Sequence, residues 1–259
     1  MSLKKYLISI EDNDSERLKK FYQQQIFNTY RSEFIKFGVK GKNLSTSEYY
    51  QLAVAKQDVP LSPGELGCTL SHIKALQDFL MTEEKYALVL EDDLIQVVNI
   101  DLNDIENQIN NLNLEECFFF SLCGIQLQVN NKIRGQLLQN KIYEKAILKL
   151  HPYYVAQFCY TCAYVVDRSM AKLLLEYHKV PHICDHWDEL HKLGKKYHFY
   201  ATFLFDHPEI NQVNTIHSFI ETERIQRLNR TNRSFRVKFK NSIQKKWLKI
   251  FNTTYPKNG

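Results

Sequence analysis

Three consecutive acids, Glu91, Asp92 and Asp93, directly follow the apolar run from Tyr86 to Leu90. Such a run is typical of a buried strand in a mostly parallel sheet, and ligands of these sheets bind at the carboxyl ends of the strands. Three adjacent carboxylates repel one another unless a cation is bound, and oxygen ligands favour Mg²⁺ or Mn²⁺. The pattern therefore predicts a divalent-cation site that serves a phosphate-bearing ligand. The alternative is a strand that ends in a solvated acidic turn.

A second group of candidate residues lies on a helix that is predicted to begin at Pro63. Ser62 is suited to cap this helix, Pro63 fits its first position, and Glu65 completes a capping box. The first turn of such a helix offers free backbone N–H groups and the positive end of the helix dipole, which favour an anion. Ser71 and His72 lie farther along the same helix.

A third stretch, Cys184-Asp185-His186-Trp187-Asp188-Glu189, follows Pro181 and combines carboxylates with an indole. If this stretch is helical, Asp185 and Asp188 lie about one turn apart on the same face. This stretch, the acids after Leu90 and the capped helix are three features that can contribute to one site.

The elements that must position these side chains alternate between strands and helices. The residue pattern predicts strands over 3–10, 34–39, 86–90, 117–123 and 160–166, and helices over 14–30, 63–81, 102–114 and 169–177. This alternation indicates βαβ units and thus an α/β fold, with a mostly parallel central sheet flanked by helices. Residues 126–153 have mixed polarity, so we expect them to be loop-rich and to be candidates for the wall of a substrate cleft.

Composition favours one large domain, or one domain with an appendage, since the chain has 259 residues of which 44% are hydrophobic. The first residues do not resemble a secretory signal and no stretch approaches the ~20 apolar residues of a spanning helix, so we expect a cytosolic protein. The six cysteines are then expected to be reduced. Cys159 and Cys162 form a C-x-x-C pair, but without an obvious second ligand pair two buried thiols are favoured over a zinc site.

The net charge of +5 is unevenly distributed. Ten Lys and Arg and no acid fall within residues 224–249, so the other residues carry 24 basic and 29 acidic side chains. Ile243, Trp247, Ile250 and Phe251 follow helical spacing and form one apolar stripe. A basic amphipathic helix of this kind predicts binding to anionic lipid, and the alternative is a terminal helix that packs on the domain. The acidic body gives no support to nucleic-acid binding.

Two of the stretches together resemble the signature of glycosyltransferase family 25. They are Gly64-Glu65-Leu66-Gly67-Cys68-Thr69-Leu70-Ser71-His72 and, about twenty residues later, Leu90-Glu91-Asp92-Asp93. Leu7-Ile8-Ser9-Ile10, Ser15-Glu16-Arg17 and Ala163-Tyr164-Val165-Val166 resemble other parts of the family pattern, which extends over residues 3–221. The family contains bacterial lipooligosaccharide galactosyltransferases and the collagen galactosyltransferases.

The resemblance implies a GT-A-type nucleotide-sugar transferase in residues 1–221, followed by the basic tail 222–259. It implies an inverting enzyme that uses Mn²⁺ or Mg²⁺, with Asp93 and Glu91 as metal ligands. Asp92 or Glu91 would reach the metal or the ribose of the donor. Of the two histidines that could complete the metal site, His207 and His217, the latter is preferred.

The same resemblance places Ser71 and His72 near the donor diphosphate. An inverting displacement requires a general base, for which Asp185 and Asp188 are the candidates, and Asp185 matches the family position. Trp187 is suited either to stack on a sugar face or to pack beside a helix. The implied substrates are a UDP-hexose, UDP-galactose above all, and a lipid-linked oligosaccharide.

The resulting expectation is a β-1,4-galactosyltransferase-like enzyme of lipooligosaccharide synthesis. We expect it to be cytoplasmic and to bind peripherally to the anionic inner membrane surface through its tail. One alternative is a metal-dependent phosphoesterase, although such enzymes usually need more metal ligands than one acidic triplet provides. The other is a non-catalytic carbohydrate- or membrane-binding module.

Overall fold

The structure is a computed structural model and describes residues 3–208 and 252–256. Within these residues the strands are β1 Lys4–Ile8, β2 Ile35–Phe37, β3 Tyr86–Glu91, β4 Ile95–Gln96, β5 Phe118–Ser121, β6 Gly135–Leu137, β7 Leu148–Leu150, β8 Ala163–Asp167, β9 His198–Ala201 and β10 Phe205–Asp206. The α-helices are α1 Glu16–Gln23, α2 Gln25–Thr29, α3 Thr46–Ala53, α4 Pro63–Leu80, α5 Ile105–Leu112, α6 Pro152–Val155 and α7 Arg168–Tyr177.

Eight of the strands form one sheet in the order β2-β1-β3-β8-β5-β9-β7-β6. Strand β1 pairs in parallel with β2 and β3, and β5 pairs in parallel with β9. Strand β8 is antiparallel to both of its neighbours, and so is β7. Six strands therefore run in one direction and two run against them, which confirms the predicted α/β fold with a mostly parallel sheet.

Helices cover both faces of the sheet because the side chains of each strand alternate between them. Leu88 and Leu90 of β3 belong to a core cluster that includes buried residues of α1, α2 and α5. Ala87 and Val89 point the other way, into a second cluster with buried residues of α4 and α7. Strand β3 is thus buried from both sides, as its unbroken apolar run predicts.

The predicted helix 14–30 is wrong in one respect, because it is divided into α1 and α2 at Gln24. The backbone of Gln24 is extended, and its side chain turns towards the segment after β3. There Gln24 Nε2 donates to the Leu94 carbonyl (2.7 Å) and Oε1 accepts from the Gln96 N–H (2.6 Å). The interruption therefore fixes the chain that follows the acidic triplet.

Residues 126–153 are more ordered than the loop-rich segment that was predicted. They contribute β6 and β7, which extend the sheet at one edge. Residues 252–256 pack on this edge, where Thr253 forms an antiparallel bridge with Gly135 and the Tyr255 hydroxyl accepts from the Phe203 N–H (3.2 Å). The predicted amphipathic stripe of the tail lies outside the described residues. Among the described residues, none of the helices has the length and apolarity needed to cross a membrane.

Candidate active site

A cleft of about 300 Å³ lies where the carboxyl ends of β1, β2 and β3 meet. The three strands are parallel, so the residues that follow them share one edge of the sheet, as expected for a ligand site in an α/β fold. The first turns of α4 form another part of the wall. Side chains and backbone of Ser9, Arg17, Lys40, Gly64, Glu91 and Asp92 line the cleft. None of its described lining residues comes from 126–153, the segment that was a candidate for the wall of a substrate cleft.

Helix α4 begins at the cleft with the capping box that its sequence predicts. Ser62 Oγ accepts from the Glu65 N–H (3.2 Å), and Glu65 Oε2 accepts from the Ser62 N–H (2.9 Å). The prediction that the first turn keeps free N–H groups for an anion is therefore wrong at Glu65. The carboxylate of Glu65 itself occupies the positive end of the helix.

Gly67 allows α4 to approach the chain after β2 very closely. A Cβ atom at Gly67 would lie 2.4 Å from the Val39 carbonyl oxygen and 2.8 Å from the Gly41 nitrogen. Ser71, one turn later, strengthens the same contact, because its hydroxyl accepts from the Val39 N–H (2.8 Å) and donates to the Gly67 carbonyl (2.7 Å). Ser71 thus lies in the cleft wall, and its hydroxyl joins α4 to the chain after β2.

Asp92 is held by two donors from the first strand and helix. Ser9 Oγ donates to Asp92 Oδ2 (2.5 Å), and Arg17 Nε donates to Oδ1 (2.6 Å). Burial raises the pKa of Asp92 to about 6, although the nearby Arg17 guanidinium acts in the opposite direction. Ser9 and Arg17 were not among the predicted site residues. Ser9 lies inside the predicted strand 3–10, and the available signal was that both residues fall in stretches that resemble family 25.

Asp93 binds the same guanidinium and a distant histidine. Arg17 Nη2 donates to Asp93 Oδ2 (2.8 Å), and His207 Nε2 lies 3.3 Å from that oxygen. Burial acts to raise the pKa of Asp93, but the contacts with His207 and Arg17 outweigh it, and the pKa is lowered. The other oxygen, Oδ1, is buried without a hydrogen-bond partner.

His207 reaches Asp93 because the short strands β4 and β10 pair just beyond the acidic triplet. In this pair Asp206 lies opposite Ile95, which places the next residue beside Asp93. His207 Nδ1 lies 2.9 Å from the Pro208 carbonyl, so Nδ1 is the protonated donor and Nε2 faces the carboxylate. Burial alone would lower the pKa of His207, but Asp93 raises it to about 9. His217, the preferred histidine from sequence, lies outside the described residues.

Glu91 and His72 meet on the other side of the triplet. Thr161 Oγ1 donates to Glu91 Oε1 (3.2 Å), and His72 Nε2 lies 3.4 Å from the same oxygen. His72 is buried and its Nδ1 is 2.9 Å from the Tyr164 hydroxyl. The resemblance gave both Glu91 and His72 a role in the site. The structure places them side by side next to the cleft.

Asp185 follows α7 and is held in the same region by a hydrogen bond from the chain before β8. Its Oδ2 accepts from the backbone N–H of Tyr160 (3.0 Å), and its Oδ1 is buried without a hydrogen-bond partner. The ring of Tyr160 lies against His207, with 5.3 Å between the ring centroids. A chain of contacts thus connects Asp185 to His207 and, through it, to Asp93.

Asp188 is placed differently from the prediction. Residues 184–189 form turns rather than an α-helix, so Asp185 and Asp188 do not lie one helical turn apart. Asp188 is exposed, whereas Trp187 is buried and packs between Phe119 and Phe199, each at 5.3 Å between centroids. Of the two alternatives for Trp187, the structure shows the packing role.

The residues beside the cleft fit a divalent cation. Asp93 supplies a carboxylate, the ligand type that suits Mg²⁺ and Mn²⁺, and His207 supplies an imidazole, a common ligand of transition-metal ions. A buried carboxylate oxygen without a partner is costly, and Asp93 Oδ1 is such an atom. The Nδ1–H group of His207 is already bound to a carbonyl, which leaves Nε2 as the coordinating nitrogen.

The sequence matches the family described as glycosyltransferase family 25 (LPS biosynthesis protein) over residues 2–187. The chain belongs to glycosyltransferase family 25. The family 25 resemblance read from the motifs is thereby confirmed, and the protein is a glycosyltransferase that acts in LPS biosynthesis. Its family implies a sugar donor and a sugar acceptor.

Comparison with curated proteins gives no match for this family 25 member. Among solved structures, a protein from STIV is similar with 14% identity and a TM-score of 0.37, over 79% of this chain and 83% of that one. A mannose-1-phosphate geranyltransferase from Thermus thermophilus is similar with 9% identity and a TM-score of 0.33, over 80% of this chain and 75% of that one. TM-scores this low support no argument about function.

Proposed function

We propose that this family 25 member is an inverting, metal-dependent hexosyltransferase of the GT-A type. In this proposal it moves galactose from UDP-galactose onto a sugar of a lipooligosaccharide acceptor, in a β-1,4-galactosyltransferase-like reaction. The observation that carries the proposal is the Asp93–His207 pair, which leaves Asp93 Oδ1 buried and unpartnered at the carboxyl end of β3. This arrangement supports a site for Mn²⁺ or Mg²⁺ beside a donor diphosphate.

Three basic side chains of the cleft lining are proposed to contact that diphosphate, beside the acids Glu11, Asp12, Glu91 and Asp92 of the same lining. These basic side chains are Arg17, Lys40 and Lys42. Arg17 also binds Asp92 and Asp93 with two different nitrogens, so it fixes the acidic triplet relative to the first helix. A bound divalent cation would neutralise charge that develops on departing UDP, and Asp93 with His207 would hold it. Glu91 or Asp92 is proposed to contact the cation or the donor ribose.

Asp185 is the proposed general base. Its Oδ2 is fixed by the Tyr160 N–H, whereas Oδ1 is buried without a partner. In this proposal Oδ1 takes the proton of the acceptor hydroxyl. As the acceptor oxygen forms its bond to the anomeric carbon, the bond from that carbon to the phosphate oxygen breaks and its electron pair leaves with UDP. Charge is balanced because the proton passes to Asp185.

The proposed location is the cytoplasmic side of the inner membrane, with peripheral binding through the tail 222–259. The support is the charge distribution, since residues 224–249 carry ten basic side chains and no acid. Each basic side chain near an anionic surface contributes on the order of 1 kcal/mol to binding. This location suits a lipid-linked acceptor. Nucleic acid is not a proposed partner.

A thermal-shift panel of UDP-sugars, each with and without Mn²⁺, tests the proposed function. The expected result is a stabilisation by UDP-galactose that requires the metal, because the metal and the diphosphate bind together. Asp93→Asn removes the coordinating charge and should abolish this shift without lowering the melting temperature of the free protein by more than a few degrees. The matched control, Asp58→Asn at an exposed position, should retain the shift.

Turnover assays decide between the proposal and its alternatives. Slow metal-dependent hydrolysis of UDP-galactose in the absence of acceptor supports a transferase. Turnover of simple phosphomonoesters would instead identify a phosphoesterase. A protein that neither hydrolyses UDP-sugars nor shows a metal-dependent shift would be a binding module, and either result overturns the proposal.

A further inference from the structure

Two cysteines and a histidine converge behind the cleft, in a cluster that the proposed transfer reaction does not use. Cys68 and His72 are four residues apart on α4, so they share one face of the helix. Cys184, in the turn after Pro181, approaches them from the other side. One ligand atom from each residue lies within 4.8 Å of the other two.

The separation of the two sulfurs matches metal ligation better than a disulfide. Cys68 Sγ and Cys184 Sγ are 3.4 Å apart. A disulfide would require about 2.05 Å between them. Two thiolates on a tetrahedral Zn²⁺ with bonds of about 2.3 Å lie about 3.8 Å apart, so a shift of a few tenths of an ångström suffices.

His72 is oriented as a ligand by its other nitrogen. Nδ1 lies 2.9 Å from the Tyr164 hydroxyl, the kind of second contact that fixes a metal-binding imidazole. Nε2 is buried and has no hydrogen-bond partner, although Glu91 Oε1 is 3.4 Å away. His72 is only 5% exposed, so this unpartnered nitrogen is a second and independent indication of a missing ligand.

The loop that carries Cys184 is fixed to α4 and its surroundings by hydrogen bonds. Thr69 Oγ1 donates to the His182 carbonyl (2.7 Å), and Gln57 Nε2 donates to the Pro181 carbonyl. These hydrogen bonds hold the loop in place, so Cys184 stays close to Cys68 and His72. Cys68 also lines the cleft, which gives a cation a route to the cluster from solvent.

We propose that Cys68, Cys184 and His72 Nε2 bind a soft divalent cation of the zinc class. Thiolate and imidazole ligands select such a cation over Mn²⁺ or Mg²⁺, so this site is distinct from the one at Asp93. Glu91 Oε1 lies 3.4 Å from His72 Nε2, and the Thr161 hydroxyl lies 3.3 Å from Cys184 Sγ, so either group would be available as a further ligand. The cation would join α4 to the loop that carries Asp185 and would stabilise the folded protein.

Co²⁺ is the probe for this site, because thiolate-bound tetrahedral Co²⁺ has intense visible bands and a sulfur-to-metal charge-transfer band. The full-length protein, reduced and stripped with a chelator, should take up one Co²⁺ per chain with both features. Zn²⁺ should displace the Co²⁺ and remove the colour. Binding should release two protons, one from each thiol.

Variants of the two cysteines locate the cation. Cys68→Ser and Cys184→Ser should each weaken Co²⁺ binding by at least ten-fold and remove part of the charge-transfer band. Cys117→Ser changes a cysteine directly before β5, at the amino-terminal ends of the parallel strands and away from the cleft, and should bind Co²⁺ as the wild type does. Far-UV circular dichroism of each variant shows whether it is folded.

Two results would overturn the proposal. The first is a reduced, folded wild type that takes up no Co²⁺ with these spectra. The second is a charge-transfer band that survives in the folded Cys68→Ser, Cys184→Ser double variant. His207→Ala should keep the Zn²⁺-dependent rise in melting temperature, which separates this site from the Asp93 site.

Discussion

His207 Nε2 lies 3.3 Å from Asp93 Oδ2 and joins the end of β10 to the acidic triplet after β3. The contact places a positive charge beside the triplet, because Asp93 raises the pKa of His207 to about 9. Arg17 supplies a second positive charge to the same carboxylate. In the absence of a metal, these two cations compensate the carboxylates that a divalent ion would otherwise neutralise.

Replacement of His207 by alanine should weaken Mn²⁺ binding in the presence of UDP-galactose. Loss of a nitrogen ligand or its support typically costs on the order of ten- to a hundred-fold in metal affinity. The measurement is the Mn²⁺ concentration that gives half of the UDP-galactose-dependent thermal shift. His217→Ala tests the histidine that the sequence favoured, and His198→Ala, beside Glu115, is the control. An effect of His217→Ala alone would refute the assignment of His207.

Asp185→Asn should remove most of the transferase activity while leaving donor binding intact. The amide retains an oxygen that can accept from the Tyr160 N–H but cannot take a proton from the acceptor. A positioned general base contributes about 10²- to 10⁴-fold, so kcat should fall by that factor. The metal-dependent UDP-galactose shift should persist.

Asp188→Asn is the matched comparison for Asp185→Asn, because Asp188 is exposed three positions later in the same stretch. We expect it to retain near wild-type kcat. If Asp188→Asn were as inactive as Asp185→Asn, or if Asp185→Asn kept full activity, Asp185 would not be the base.

Local patterns in the sequence predicted the elements that carry the site. The apolar run before Glu91 predicted β3, and the capping box at Ser62 predicted the start of α4. Both signals act over a few neighbouring residues, which is why they can be read without the fold. The acids after the apolar run predicted a cation site at the end of β3, and the family resemblance gave Asp185 its role as a candidate base.

Contacts between residues far apart in the chain could not be predicted from local sequence patterns. Strands β4 and β10 have two residues each, too few for a periodic pattern, yet their pairing is what brings His207 to Asp93. The break at Gln24 depends on hydrogen bonds to residues far along the chain. The Cys68–Cys184 contact was missed for the same reason, although the spacing of Cys68 and His72 on one helix was a local signal.

Gly67→Ala should destabilise the protein, because the added Cβ would lie 2.4 Å from the Val39 carbonyl oxygen. The nearby atoms belong to backbone and cannot rotate away, so overpacking should cost about 1–3 kcal/mol. Helix propensity alone would have made alanine favourable at this position. The measurement is the free energy of unfolding in urea, with Gln77→Ala on the exposed face of α4 as control. An unchanged or higher stability of Gly67→Ala would show that α4 can move away from the chain after β2.

His178 should make the protein less stable as the pH falls below about 6.5, the ordinary pKa of histidine. Burial lowers the pKa of folded His178 to about 3, and its Nδ1 accepts from the His182 N–H (3.3 Å). Between these two pKa values the unfolded chain binds the extra proton, so this residue removes up to about 1.4 kcal/mol of stability per pH unit of acidification.

Urea unfolding at several pH values between 7.5 and 5 measures this dependence. His178→Gln keeps an acceptor for the His182 N–H but cannot titrate, so the free energy of unfolding should fall less steeply with acidification than in the wild type. His191→Gln, at an exposed position, should leave the slope unchanged. Equal slopes in wild type and His178→Gln would mean that His178 gains its proton without unfolding, and the burial argument would fail.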